Sequence, residues 1–186
     1  MKKIIQLSQN DNATDNHPDT LDAVQYQQQV TVINEIFLGC YEMEATPPPP
    51  PVHKTYKQRI AKKMASYKTQ DVANQIFDPR WFVEMDYVLE LLVVSKLKCH
   101  YCRTNCAISY SKPRFDRQWT LDRICNEQGH NRGNVVISCL KCNLHRGVKP
   151  GDKYKLGKQM KFIKMHTSSY DEPENQMDLS NNNVKK

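Results

Sequence analysis

Residues 99–147 read CHYCRTNCAISYSKPRFDRQWTLDRICNEQGHNRGNVVISCLKCNLHRG, and the fold turns on them. Cys99 and Cys102 form one Cys-x-x-Cys pair, Cys139 and Cys142 a second. Two intervening residues let both thiolates of a pair turn to the same side, so each pair can grip one tetrahedral ion. Two pairs together make a four-sulfur zinc site, the closed kind that holds a fold together. Between Cys102 and Cys139 lie 36 residues, more than in a simple finger, so the ion is expected to clip the two ends of a substantial insert.

Within that insert, 118–124 (QWTLDRI) has β-prone residues in partial alternation, and 134–138 (NVVIS) is β-branched and apolar. Gly129 and Gly133 mark the loop between them, which predicts a hairpin. After Cys142 the chain NLHRG is expected to begin a short helix stopped by Gly147 and Pro150. The order is zinc knuckle, hairpin, zinc knuckle, helix: a treble-clef-like ββα module within an α+β chain.

Upstream, 53–77 reads as a basic amphipathic helix. Tyr56, Ile60, Met64 and Tyr67 recur on one stripe, and Lys57, Arg59, Lys62, Lys63 and Lys68 take much of the remainder. Residues 78–96 are expected to form a core helix, with Asp78 as N-cap, Pro79 in its first turn, and Trp81, Met85, Val88, Leu89 and Leu92 on the packed side. The expected organisation is an unpacked acidic and polar region over 1–51, a helical basic region over 52–97, the zinc module over 98–150, a basic extension over 151–167 and an unpacked tail over 168–186. In the first region, 30–40 (VTVINEIFLGC) suits a short strand, a helix or a partner-binding peptide, and Pro47–Pro51 suit a polyproline II spacer.

The net charge of +7 is unevenly spread: −5 over 1–51, +14 over 52–167 and −2 over 168–186. A basic domain between acidic ends points to a polyanionic partner, of which nucleic acid is the commonest. Arg132, Arg146 and Lys149 of the module join the helix lysines as expected phosphate contacts. No apolar run approaches the length that spans a bilayer, and the start MKKIIQLSQNDN is too short in apolar residues for a secretory signal. The seven cysteines are therefore expected in a reducing intracellular compartment, where paired Cys-x-x-Cys motifs mean metal more often than disulfide.

Leu121-Asp122-Arg123-Ile124, then Gly129, Asn134-Val135 and Cys139-x-x-Cys142-Asn143 make the module resemble the HNH endonucleases, the ββα-metal nucleases, and in particular HNH proteins of large DNA viruses. The resemblance covers about a quarter of the chain. It implies a homing-like, metal-dependent DNA endonuclease with structural zinc and a catalytic divalent ion, usually magnesium. In that family an Asp binds the ion, the following His is the general base, a middle Asn orients the His, and a final His or Asn completes the ion's site. Asp122, Asn134 and Asn143 match three of those roles, Asp122 and Asn143 as the magnesium pair. Arg123 stands where the base should be, and a guanidinium cannot take a proton at neutral pH. Either His130 or His145 replaces the base, or metal-bound water attacks with little help, or the module binds DNA and no longer cuts it.

Overall fold

The structure is a computed structural model that describes residues 5–7, 21–39 and 50–162. The tail expected over 168–186, the polar residues 8–20 and Pro47–Pro49 lie outside the described residues. The chain is α+β. Its order is β1 (Ile5–Leu7), α1 (Ala23–Gly39), α2 (Pro51–Ala73), α3 (Met85–Val94), β2 (Trp119–Arg123), β3 (Val135–Cys139), α4 (Leu140–Arg146), α5 (Gly151–Gln159) and β4 (Met160–Phe162). Strands β2 and β3 pair antiparallel, Trp119 opposite Cys139 and Arg123 opposite Val135, while β1 and β4 pair in a separate two-stranded ribbon.

The hairpin forms where alternation and the two loop glycines predict it, with the first strand one residue shorter at each end than 118–124 and the second shifted by one residue from 134–138. Both of its faces are covered: every residue of β2 but Arg123 is buried. Helix α2 also forms, but over Pro51–Ala73 in place of 53–77: Pro51, expected in the polyproline II spacer, takes its first position, where a missing N–H costs nothing. Its stripe turns inward, with Tyr56, Ile60 and Tyr67 buried and Met64 packed against the core. This helix also shields the outer edge of β2, since the Tyr67 hydroxyl accepts from Leu121 N at 3.1 Å and Lys63 Nζ donates to the Trp119 carbonyl. An open strand edge is a template for unwanted pairing, and α2 closes this one.

Two further expectations change. The core helix begins at Met85, not near Asp78. Asp78 instead starts a turn: its carbonyl accepts from Trp81 N and Phe82 N, and its carboxylate is taken by Arg80. Trp81 therefore stays 57% exposed, and the core is supplied by Val88, Leu89 and Leu92. Residues 23–39, expected to be unpacked apart from a short apolar segment, form the 17-residue helix α1, which seats Ile33 and Ile36 in the core beside α3 and α2. Two fully buried isoleucines contribute on the order of 1.5–3 kcal/mol each, enough to hold a helix that its own polar sequence would not.

Candidate metal centre and the two faces of the hairpin

Cys99, Cys102, Cys139 and Cys142 converge, with their sulfurs all within 4.8 Å of one another. Cys102 Sγ and Cys139 Sγ stand 3.8 Å apart. Zinc–sulfur bonds of about 2.3 Å in a tetrahedron put sulfurs about 3.8 Å apart, so this set fits a zinc-sized ion. Local backbone prepares it. Lys96, Leu97 and Arg103 adopt left-handed conformations that turn the first knuckle, and Cys142 N donates to Cys139 Sγ at the start of α4. The thiols also bias one another: hydrogen bonds from its neighbours push Cys102 far below the usual thiol range, while Cys139 and Cys142 are pushed up. Four thiols in such contact cannot all ionise without a cation among them. The cluster could hold a structural metal such as zinc, and it lies where the two knuckles meet the ends of the hairpin.

Along β2, successive side chains point to opposite faces. Thr120 and Asp122 face α4. Asn143 Nδ2 donates to Thr120 Oγ1 at 3.1 Å. Arg146, one turn on, donates through Nε to Asp122 Oδ2 at 2.7 Å and through Nη2 to Oδ1 at 2.9 Å. The Tyr101 hydroxyl adds a third bond to Oδ2 at 2.6 Å. Asp122 and Arg146 are each only 3% exposed. The guanidinium is saturated further by the Arg123 and Lys149 carbonyls and by Asn126 Oδ1. The carboxylate raises the Arg146 pKa still higher, and burial with the Asp122 bond does the same to the Tyr101 phenol.

This arrangement alters three expectations. Arg146, read as a phosphate contact, is a buried partner of Asp122. Both Asp122 oxygens, read as magnesium ligands, accept from a fork-shaped cation and Oδ2 also from Tyr101, so three of the carboxylate's four acceptor sites are taken. Asn143 turns to Thr120, two residues along the strand from Asp122. A magnesium ion would have to displace Arg146 to be chelated by Asp122, so this arrangement gives a magnesium site no support.

On the opposite face Trp119 and Arg123 look toward α2. Lys63 Nζ lies 4.9 Å from the Trp119 ring centroid, and Arg123 Nη1 is 3.8 Å from Asp71 Oδ1. Asp71, near the end of α2, is fully buried; its Oδ2 accepts from His130 N at 2.6 Å and its Oδ1 bonds the His130 ring at Nδ1, 2.8 Å away. The imidazole stacks on Tyr67 with centroids 4.4 Å apart. Burial, the largest influence, holds His130 below its ordinary value of 6.5 against the pull of Asp71. Gly129 makes this possible: a Cβ there would sit 2.7 Å from the Ile76 carbonyl and 2.8 Å from Asp71 Oδ2. Asn134 staples the loop from within, accepting from Cys125 N and donating to the carbonyls of Cys125 and Gly129.

The residues singled out from sequence thus fall into two groups on opposite faces of the hairpin. Asp122 and Asn143 lie with Arg146 and Tyr101, whereas Arg123 and His130 lie with Asp71. His145 is exposed on α4, where its carbonyl accepts from Lys149 Nζ. Among the expected phosphate contacts, Lys57, Arg59, Lys62, Lys68, Arg132 and Lys149 are exposed. Lys63 is half-buried, and burial lowers its pKa to about 8. Sequence reasoning missed Asp71 and Tyr101, since each gains meaning only from a partner far along the chain. No family model matches the chain, and neither a curated protein nor a solved structure is similar enough to match it. No helix among the described residues is long and apolar enough to cross a membrane.

Proposed function

We propose that this chain is a nucleic-acid-binding module on an HNH-derived, treble-clef-like scaffold, with zinc in the four-cysteine clip and a buried ion pair where a nuclease would hold its catalytic metal. The bidentate Arg146–Asp122 contact carries the reading. It supports a non-cutting role because a hydrolytic metal would have to compete with a guanidinium that already neutralises the carboxylate at both oxygens, while the basic surface is kept. Binding would rest on lysine and arginine contacts to phosphates, with release of counterions, and so should weaken steeply with salt.

A second reading retains hydrolysis, with His130 as the base oriented by Asp71 through Nδ1, leaving Nε2 to take the proton. A depressed imidazole pKa keeps the ring neutral, as a base must be. Gel retardation of supercoiled plasmid by the zinc-loaded chain, with and without magnesium, separates the two. The non-cutting reading expects retarded plasmid that stays supercoiled. Magnesium-dependent nicking abolished in His130→Ala would replace it with the second reading. If nothing is retarded at low salt, the nucleic-acid assignment fails altogether.

A further inference from the structure

The positive side chains of α2 are not spread evenly over solvent. Arg59, Lys62, Lys63 and Ser66 fall at i, i+3, i+4 and i+7, one stripe beside the buried one. With Ile108, Tyr110 and Trp119 they line a cleft of about 430 Å³. A second cleft, of about 680 Å³, shares Arg59 and Tyr110 and continues the first toward α1. Among the described residues, no carboxylate lines either cleft.

The far wall is held in place by α1. Gln29 Oε1 accepts from both Ile108 N and Ser109 N, at 2.8 and 2.9 Å, and its Nε2 donates to the Ser109 carbonyl. These bonds fix the segment that presents Tyr110, whose hydroxyl donates to Gln118 Oε1 and whose ring lies near-parallel to Phe115. Lys63 Nζ stands 5.9 Å from the Tyr110 centroid and 4.9 Å from that of Trp119.

We propose that this cleft binds an unpaired stretch of a nucleic-acid strand, with a base against Tyr110 and its flanking phosphates on Arg59, Lys62 and Lys63. The proposal rests on the nucleic-acid reading above and narrows it to a single strand. A duplex hides its base faces in its own stack, so a recessed aromatic beside three cations is of use only to a base that is free. Arg59 and Lys63 donate to the Ile108 and Trp119 carbonyls, but an apolar ligand would bring the three cations no counter-charge, and an acidic peptide would make no use of a fixed ring. Cation-lined grooves with aromatic platforms are the general device for holding single strands without reading sequence. Burial of Lys63 adds to the case: its charge is costly where it stands, and a phosphate would relieve that cost.

Equilibrium fluorescence anisotropy on the zinc-loaded full chain tests this, with fluorescein-labelled oligo-deoxythymidine and a labelled duplex of mixed sequence as probes. Removing one stacking platform should weaken single-strand binding about tenfold. Tyr110→Ser and Lys63→Met are each expected to show that loss on the single strand and less than about a twofold change on the duplex. Tyr110→Phe, which keeps the ring, should match wild type, and circular dichroism should show all three variants folded. Equal losses on both probes, or none on either, would overturn the cleft assignment while leaving nucleic-acid binding in place. Failure of the wild type to bind either probe at low salt would remove the broader reading together with the cleft.

Discussion

The two faces of the hairpin each bury an aspartate, and they treat it differently. On the α4 face Asp122 meets a guanidinium that carries its charge at any pH the protein will see, and the pair is completed by a phenol and two carbonyls. On the α2 face Asp71 meets an imidazole, a backbone N–H and, at longer range, Arg123. The first is a permanent fastening that ties α4 to β2 close to the cysteine cluster. The second depends on protonation and ties the interstrand loop to α2. The same strand therefore joins a half closed by the cysteine cluster to a more adjustable half that carries the accessible cations.

Removing the clip should have the largest effect. Structural zinc sites contribute about 10–16 kcal/mol of apparent binding energy, most of which is folding energy. Chelation, or Cys139→Ser, is expected to abolish the cooperative thermal transition of the hairpin half by circular dichroism. Retention of that transition without metal would mean the core alone suffices.

Asp122→Ala comes next. It strands the Arg146 charge in the interior, a change that costs about 3–5 kcal/mol. A large fall in Tm is expected, where a metal-ligand role alone would leave Tm nearly unchanged. On the other face, Gly129→Ala should cost about 1–3 kcal/mol, because its methyl group would press on the Ile76 carbonyl and the Asp71 carboxylate.

The His130 pair should announce itself through pH. Its folded pKa lies below 6.5, so the unfolded chain binds a proton that the folded chain refuses. Stability is then complete above about pH 6.5 and declines as the pH falls through it. Denaturant midpoints collected across that range should show the decline, and His130→Gln should reduce it. The smallest effect is expected at Lys57→Ala. As an exposed α2 residue outside the cleft it should shift stability by less than about 0.5 kcal/mol, and it should lower the salt slope of binding by about one unit if it touches phosphate.

The sequence made some of this plain and concealed the rest for physical reasons. The cysteine pairs were legible because ligand spacing is local, and the hairpin because period-two alternation and loop glycines are local too. Helix α2 was legible through its stripe. Asp71 was not: it sits among the polar residues of the helix end, and only a loop 59 positions away buries it. Arg146 followed the cysteines in a basic run and looked like a phosphate contact, whereas its partner lies 24 positions back on β2. Gln29 was hidden in a glutamine run, although a single side chain there makes three bonds to a distant segment. The Asp78-Pro79 pair misled in the other direction, because its capping geometry closes a turn instead of opening a helix. Resemblance set Asp122, Asn134 and Asn143 in order along the chain, but their order does not decide which oxygen Arg146 will occupy.

Titration of the zinc-loaded chain with manganese, followed by electron paramagnetic resonance, tests the reading of the α4 face most directly. With Asp122 held at both oxygens by Arg146, manganese should stay free in solution, and the wild type should be indistinguishable from Asp122→Asn. A stoichiometric bound signal in the wild type that disappears in a folded Asp122→Asn variant would show that the carboxylate opens to a metal, and would contradict the account.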